Sequence, residues 1–235
     1  SRCPLYYSIK KEMNLKIVKT NDGSDTIYNK EIDESYHSLH GSIRESEHVY
    51  INAGLDRVMN NKKNKSISIL EIGLGTGLNV MLTINYAKQK SIKIFYHAIE
   101  PFPIENSILK KLNYSRKIKE FNNKIFEKIH NSESQNVIKL LNNFLFKRSI
   151  NRLEKISLKK EKYDLIFFDA FAPSKQPDIW AEKNFSNIKY AMKREGIIVT
   201  YSSTKRLKKI LENLNFKIEI LAGPIGKKEM TRAIK

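Results

Sequence analysis

A short glycine-rich segment in the first half of the chain has the residue types of a ligand-binding loop. It reads Glu71-Ile-Gly73-Leu-Gly75-Thr76-Gly77 and lies between a β-branched apolar run and a stretch with helical periodicity. Glycines let a ligand approach the backbone closely, and the helix that follows presents free N–H groups. The acid two residues before the first glycine disfavours a phosphate ligand and favours a cofactor with an ammonium group and a sulfonium. We therefore predict cofactor contacts by Glu71, Gly73, Gly75, Thr76 and Gly77.

Two further acids, Glu100 and Asp169, each follow an apolar run of the kind that forms a buried strand. Glu100 comes after residues 92–99, where an acid downstream of a glycine loop commonly accepts the ribose hydroxyls of a nucleoside cofactor. Asp169 comes after residues 163–168 and precedes Ala-Phe-Ala-Pro. Ligands of open α/β sheets bind beyond the carboxyl ends of the strands, so both acids are expected to face the same crevice as the glycine segment.

An acid at position 169 suits the transfer of a methyl group to an amine. The reaction is an in-line displacement, and the attacking nitrogen must present a free lone pair. A carboxylate can accept an N–H hydrogen bond, orient the lone pair and take the proton as charge develops on nitrogen. Asp169 with its aromatic and proline neighbours is similar to the Asp/Asn-Pro-Pro-aromatic motif of amino methyltransferases. We predict that Asp169 is catalytic and contacts the cofactor, and that Phe171 stacks on a base or shields the sulfonium.

The elements that would position these residues alternate between strands and helices. Short apolar runs predict strands at residues 66–72, 92–99, 144–146, 163–168 and 196–201. Helical periodicity predicts helices at residues 78–90, 177–193 and 204–213. The alternation predicts an α/β, Rossmann-like, mostly parallel sheet. Strands at 216–221 and 230–234 are joined by a turn alone, which predicts the antiparallel C-terminal strand of methyltransferase folds. Residues 104–139 show helical periodicity without a strong strand.

The first 65 residues are predicted to form an N-terminal extension beside the Rossmann-like domain of residues 66–235. Residues 1–11 resemble a loose leader, and an Asn-Asp-Gly turn after residue 20 predicts a β-hairpin. Ser42 and Glu45 have capping-box spacing at the start of a helix. The extension is rich in polar reactive side chains, which fits either a flap over the crevice or a solvated helical surface.

Composition and charge restrict the class of protein. The 235 residues carry a formal net charge of +18, which favours a polyanion such as RNA as partner, although solvated lysines on helices explain the same excess. The single cysteine, Cys3, excludes a disulfide framework. The spacing of His37, His40 and His48 predicts no metal site. No apolar run approaches the ~20 residues of a membrane-spanning helix, so a cytoplasmic protein without membrane association is expected.

Four blocks of sequence together resemble the methyltransferase domain of the MnmC family. They begin at Asp22 (DGSDT), Tyr36 (YHSLHGSIRES), Glu71 (EIGLGTGLN) and Asp169 (DAFAP, followed by PDIW). The resemblance implies a Rossmann-like enzyme that uses S-adenosylmethionine. Its expected product is 5-methylaminomethyl-2-thiouridine, made by methylating the 5-aminomethyl group of the wobble uridine in the anticodon loop of tRNA. No FAD-dependent oxidase domain is expected in this chain.

The resemblance also implies roles for individual residues. Asp169 matches the catalytic aspartate, whereas the glycine segment and Glu100 match cofactor contacts. The N-terminal block becomes a substrate-side lid, where Tyr36, His40 and Glu45 are expected to bind substrate together with Phe171. The sequence departs from the family after the third strand. The family commonly has Gly-Asp in that region, whereas this chain has Lys147, Arg148 and Asn151. We therefore assign no residue to an adenine contact.

The residues leave two other functions open. A polyamine aminopropyltransferase similar to spermidine synthase also combines a Rossmann-like fold with an acid that deprotonates an amine, but the charge of +18 disfavours a cationic substrate. A non-catalytic RNA-binding protein with a decayed cofactor site is the second alternative, which the intact glycine segment and Asp169 disfavour. The G-x-G-x-G spacing disfavours a dinucleotide-dependent oxidoreductase, whose usual spacing is G-x-G-x-x-G.

Overall fold

A small antiparallel sheet opens the part of the chain that the computed structural model describes, residues 14–61 and 65–235; the leader predicted at residues 1–11 lies outside it. Its strands are β1 (Leu15–Lys19), β2 (Asp25–Asn29) and β3 (Glu34–Ser35), in the order β1-β2-β3. Lys19 pairs with Asp25 across the predicted turn, so the hairpin is confirmed. The Asp22 carboxylate accepts the N–H of Ser24 (2.9 Å), which stabilises that turn.

Eight further strands form the main sheet. They are β4 (Ser66–Ile72), β5 (Lys93–Ile99), β6 (Val137–Leu141), β7 (Phe144–Ser149), β8 (Tyr163–Phe168), β9 (Met192–Thr200), β10 (Lys217–Ala222) and β11 (Glu229–Ile234). The order is β10-β11-β9-β8-β4-β5-β7-β6. Neighbouring strands from β9 to β7 are parallel, whereas β11 runs antiparallel between β9 and β10. The predicted Rossmann-like sheet with an antiparallel C-terminal strand is confirmed.

Helices cover the sheet and connect its strands. The first, α1, runs through Ser42–Ser46, Glu47–Asp56 and Arg57–Asn60, with wider π-type turns in its middle segment. The others are α2 (Leu78–Lys90), α3 (Asn106–Leu109), α4 (Tyr114–Lys117), α5 (Asn123–Asn131), α6 (Glu182–Ala191) and α7 (Lys205–Asn213). Gly54 of α1 lies so close to β8 and β9 that a Cβ there would be 3.0 Å from the Val199 side chain. The N-terminal extension therefore shares one hydrophobic core with the main sheet, including Ile27, Leu55 and Phe167.

Two predicted helical segments are shorter than their periodicity indicates. Within residues 104–139, the side chain of Asn113 donates to the carbonyl of Gly23 (2.8 Å) and Asn122 caps α5, so polar side chains divide the segment. Its end forms β6, an edge strand whose hairpin with β7 turns at two asparagines. The helix predicted at 177–193 begins only at Glu182, because Pro177-Asp-Ile-Trp180 forms a turn closed by Trp180 N–H to the Pro177 carbonyl (3.2 Å).

Candidate active site

Backbone hydrogen bonds fix the residues that follow three parallel strands. The N–H of Asp169 donates to the last carbonyl of β4 (2.9 Å), and the N–H of Gly73 donates to the last carbonyl of β5 (2.9 Å). The N–H of Glu100 donates in the same way to the end of β7 (3.0 Å). The hydrogen-bond ladder thus continues one step past the strands. It places Gly73, Glu100 and Asp169 at one edge of the sheet, where the sequence predicts them.

A cavity of about 420 Å³ opens at this edge, and Asp169 lines it. One wall, the strand-end side, comes from the segments after β4, β5 and β7: Gly73, Gly75, Glu100, Phe102 and Leu153. The other wall, the extension side, combines the N-terminal extension with segments after β8, β9 and β10: Glu34, Tyr36, Glu45, Phe171, Tyr201 and Lys227. A single cavity therefore brings together residues predicted to bind cofactor and residues predicted to bind substrate.

On the strand-end side, two backbone N–H groups hold the carboxylate of Glu100. Its Oε2 accepts the N–H of Gly75 (3.0 Å), and its Oε1 accepts the N–H of Phe102 (2.8 Å). Burial raises the pKa of this carboxyl, while those two hydrogen bonds favour the charged form. Gly73 has a φ of +91°, and a Cβ there would overlap the carbonyl oxygen of Asp169. The glycine loop and the loop after β8 therefore meet backbone to backbone.

Asp169 is partly buried between the two walls. Its Oδ2 accepts the side-chain N–H of Asn79 (2.8 Å). Burial is the largest effect on its pKa and raises it to about 7, and the negative charge of Glu45 adds to the increase. A hydrogen bond from Tyr50 and the positive charge of Lys227 act in the opposite direction. Asp169 can therefore both lose and gain a proton near neutral pH.

Side-chain contacts hold the extension side together. The rings of Tyr36 and Phe171 meet edge to face with centroids 4.9 Å apart. Glu45 Oε1 pairs with Lys227 Nζ at 2.7 Å, and the same ammonium lies 3.7 Å from the centroid of the Tyr201 ring. The carboxylate of Glu34 accepts the N–H of Ala172, which follows Phe171 (3.1 Å). These contacts bring distant parts of the chain around Asp169.

Trp180 supports the loop that carries Asp169 and Phe171. Its ring is 2% exposed and packs on Phe168 with centroids 4.6 Å apart. Its Nε1–H donates to the carbonyl of Phe171 (2.8 Å). The Asp-Ala-Phe-Ala-Pro motif and the tryptophan that follows it are thus one structural unit.

Four of the predicted site residues lie outside the cavity wall. Glu71 is fully buried below the loop, where its Oε1 accepts from Asn79 (2.9 Å). Thr76 is also buried, and its hydroxyl contacts that of Tyr114 (3.0 Å). Gly77 packs on a helix rather than facing the cavity, and His40 is exposed and packs on Gly226. Their predicted contacts with cofactor or substrate therefore stay predictions.

Several cavity residues were not identified from the sequence. Lys227 and Tyr201 have no motif around them, and Glu34 acts through a contact with Ala172, 138 positions along the chain. Asn79, which lies behind the cavity wall, had a detectable signal, because it is a polar residue in the first turn of the helix that follows the glycine loop. After β7, where no adenine contact was assigned, Glu154 lines the cavity and accepts from Asn184 (3.2 Å).

The strand-end side fits an adenosyl cofactor. The Glu100 carboxylate keeps lone pairs beyond those used by the backbone, and ribose hydroxyls can donate to them. Apolar side chains of Ile99, Leu153 and Phe102 offer a surface for a purine ring. The loop at Gly73 and Gly75 leaves the backbone uncovered by side chains at the cavity.

No helix within residues 14–61 and 65–235 is long and apolar enough to cross a membrane.

The chain is similar to known methyltransferases along most of its length. Curated relatives named tRNA 5-methylaminomethyl-2-thiouridine biosynthesis bifunctional protein MnmC include one from Campylobacter fetus subsp. fetus. That relative is 27% identical over 217 residues, with 89% of this chain and 34% of the relative covered. Another from Leptospira interrogans serovar copenhageni is 29% identical over 221 residues, with 87% and 33% covered. The chain thus spans about a third of the length of these relatives.

A solved structure and a family model agree with the fold and with S-adenosylmethionine as cofactor. The crystal structure of MNMC2 from Aquifex aeolicus superposes with a TM-score of 0.76 at 25% identity, covering 95% of this chain and 70% of that one. The model of a family described as S-adenosyl-L-methionine-dependent methyltransferase matches residues 113–235, more than half of the chain. The cofactor is therefore S-adenosylmethionine, and the chain belongs to the S-adenosyl-L-methionine-dependent methyltransferase family.

Proposed function

We propose that this methyltransferase acts on the amino nitrogen of a 5-aminomethyl group at the wobble uridine of tRNA. One observation carries the proposal: an acid with a pKa of about 7, Asp169, lines the same cavity as the cofactor residues Gly73, Gly75 and Glu100. An amine must lose a proton in order to accept a methyl group, and this acid can receive it. The names of the MnmC relatives supply the tRNA substrate class.

The extension side suits a cationic group attached to a planar ring. Two carboxylates, Glu34 and Glu45, line it together with three aromatic rings, those of Tyr36, Phe171 and Tyr201. Carboxylates and ring faces both attract an ammonium group. Lys227 already demonstrates this, since its ammonium pairs with Glu45 and lies over the Tyr201 ring. An aminomethyl substituent on an unstacked base has the same chemistry.

The residues of the two sides divide the reaction between them. Glu100 and the backbone at Gly75 hold the adenosyl group of S-adenosylmethionine, which supplies an electrophilic methyl group when bound. Asp169 accepts a hydrogen bond from the substrate amine, orients the nitrogen lone pair and takes the proton that leaves it. Tyr36 and Phe171, packed edge to face, exclude water from the reacting atoms. The charge that develops on nitrogen is thereby neutralised inside the cavity.

The net charge of the chain supports a nucleic-acid substrate. At +18, the protein attracts the phosphates of tRNA, and binding is expected to weaken steeply as salt concentration rises. An anticodon loop offers an unpaired wobble base, so the nucleotide reaches the cavity without the disruption of a duplex.

Methyl transfer to tRNA tests the proposal directly. The purified chain is incubated with S-adenosylmethionine labelled in the methyl group and with total tRNA from cells in which the aminomethyl group is formed but not methylated. We expect label in 5-methylaminomethyl-2-thiouridine after nuclease digestion and mass spectrometry. The Asp169→Asn variant serves as the matched control. Label in another nucleoside, or transfer only to a free polyamine, would contradict the proposed function.

A further inference from the structure

Asn79 connects the buried Glu71 with the partly buried Asp169. It is the second residue of α2 and is 3% exposed. Its Nδ2 donates to Oε1 of Glu71 (2.9 Å) and to Oδ2 of Asp169 (2.8 Å). Carboxylate oxygens only accept hydrogen bonds, so both N–H groups of the Asn79 amide donate to the two acids. This one side chain thus joins the end of β4, the start of α2 and the end of β8.

We propose that Asn79 is a positioning residue that sets the orientation of the Asp169 carboxylate, and that Glu71 holds the Asn79 amide in place. The proposal rests on the proposed function, in which Asp169 receives the proton from the substrate amine. Neither Asn79 nor Glu71 is among the residues that line the cavity. Their effect on turnover passes through Asp169.

Glu71 acts as a neutral anchor in this arrangement. Its side chain is fully buried, with the Asn79 amide and the Tyr96 hydroxyl as polar neighbours. Burial raises the pKa of Glu71 well above its usual value, and the nearby charge of Asp169 raises it further. A protonated Glu71 still accepts the Asn79 hydrogen bond while removing one of two like charges. Asp169 is then the acid that changes its charge near neutral pH.

Groups from several elements face Asp169, and Asn79 acts among them. Tyr50 and Glu45 approach from α1, and Lys227 approaches from the turn after β10. The charge of Asp169 also acts on three further groups: Glu71 of β4, Tyr96 of β5 and Tyr201 after β9. The hydrogen bond from Asn79 favours the ionised form of Asp169. Removal of the amide is therefore expected to raise the pKa of Asp169.

Substitution of Asn79 with leucine, which has a similar volume but no donor, tests the proposal. We expect kcat to fall about 10- to 100-fold, as for the loss of a hydrogen bond to a charged group. The acidic limb of the kcat–pH profile should move to higher pH, while the Kd for S-adenosylmethionine stays within about 3-fold. Thr83→Val is the matched control, because Thr83 is equally buried on α2 and bonds the Asn79 carbonyl rather than Asp169 (2.7 Å). An unmoved pH profile in Asn79→Leu would overturn the proposal.

A double-mutant cycle separates action through Asp169 from a general packing role. If Asn79 acts only by positioning Asp169, the Asp169→Asn/Asn79→Leu double variant turns over at the rate of Asp169→Asn alone. Multiplicative losses in the double variant would overturn the proposal. Glu71→Gln keeps an oxygen that can accept the Asn79 hydrogen bond, so it should retain more activity than Glu71→Leu.

A titration without substrate distinguishes failure of this inference from failure of the proposed function. The carboxyl carbon signal of Asp169 in ¹³C-aspartate-labelled protein is assigned by its loss in Asp169→Asn and followed against pH. We expect the midpoint to rise in Asn79→Leu and to stay in place in Thr83→Val. If Asn79→Leu is poorly folded, Asn79→Ala is titrated instead. A constant midpoint refutes the positioning role even where tRNA is methylated, whereas a raised midpoint supports it even where another amine is the acceptor.

Discussion

The two sides of the cavity are built in different ways. On the strand-end side, Gly73 and Glu100 stand directly after strands, and backbone hydrogen bonds of 2.9 and 3.0 Å fix them. On the extension side, the wall depends on contacts between side chains that lie far apart in the chain, such as Glu45 with Lys227. The first arrangement is rigid because the sheet sets it, whereas the second can change with single side chains. We infer that cofactor binding and substrate choice are separable in this protein.

The largest expected effect comes from the glycine loop. In Gly73→Ala, the new Cβ would overlap the Asp169 carbonyl oxygen at a φ of +91°, so the loop must move. We expect the Kd for S-adenosylmethionine to rise more than about 100-fold in calorimetry. The new Cβ meets backbone atoms, which cannot turn away as a flexible side chain can. Gly226→Ala, at a φ of +87° in the turn after β10, is the matched control. If that control weakened the cofactor equally, the two sides would not be separable.

For turnover rather than cofactor binding, the largest effect is expected at the acid between the two sides. Asp169→Asn keeps the size of the side chain but cannot take a proton from an amine, so kcat should fall by about 10²- to 10⁴-fold. The cofactor Kd should change only a few-fold, because Glu100 and the loop remain intact. Quench-flow single-turnover measurements report the chemical step directly. Turnover near the wild-type rate would show that the carboxylate has a structural role alone.

The pH dependence of the wild-type chain tests whether Asp169 is the group that accepts the proton. A base must be ionised to accept a proton, and burial holds the pKa of Asp169 at about 7. Single-turnover rates should therefore rise from pH 5.5 to 8 with a midpoint near 7 and be lost as pH falls. The residual rate of Asp169→Asn should lack this limb. A limb that persists in the variant would belong to the substrate amine or to another group.

Substitutions on the extension side should change substrate binding and leave cofactor binding intact. Glu45→Gln removes the charge that pairs with Lys227 but keeps the shape of the side chain. We expect the KM for tRNA to rise about 3- to 30-fold, because Glu45 is buried while its partner Lys227 is partly exposed, so solvent screens part of the interaction. The Kd for S-adenosylmethionine should stay unchanged. A matching loss in Lys227→Met, without further loss in the double variant, would identify the pair as one unit.

The same contrast explains how much the sequence predicts. Gly73, Gly75, Glu100 and Asp169 follow apolar strands, so the topology rule for parallel sheets places them together without knowledge of side-chain packing. Lys227 reaches the cavity because the hairpin of β10 and β11 folds over α1, and no local pattern encodes that contact. Glu71 is a residue with a clear motif around it whose side-chain contact is nevertheless not encoded locally. The sequence predicts a cofactor contact for this acid, whereas packing buries its side chain against Asn79, a contact that no local pattern indicates.

The smallest effect is expected at His40, which the family resemblance assigns to the substrate side. The structure leaves this ring exposed on Gly226, outside the cavity wall, at the junction of the extension with the turn that carries Lys227. In His40→Ala, kcat and the tRNA KM should change by less than about 3-fold, as for surface substitutions away from a site. Glu45→Gln measured in parallel provides the reference. A KM effect as large as that of Glu45→Gln would extend the substrate contact beyond the cavity, because a tRNA loop large enough to cover His40 must then rest on the outer face of the extension.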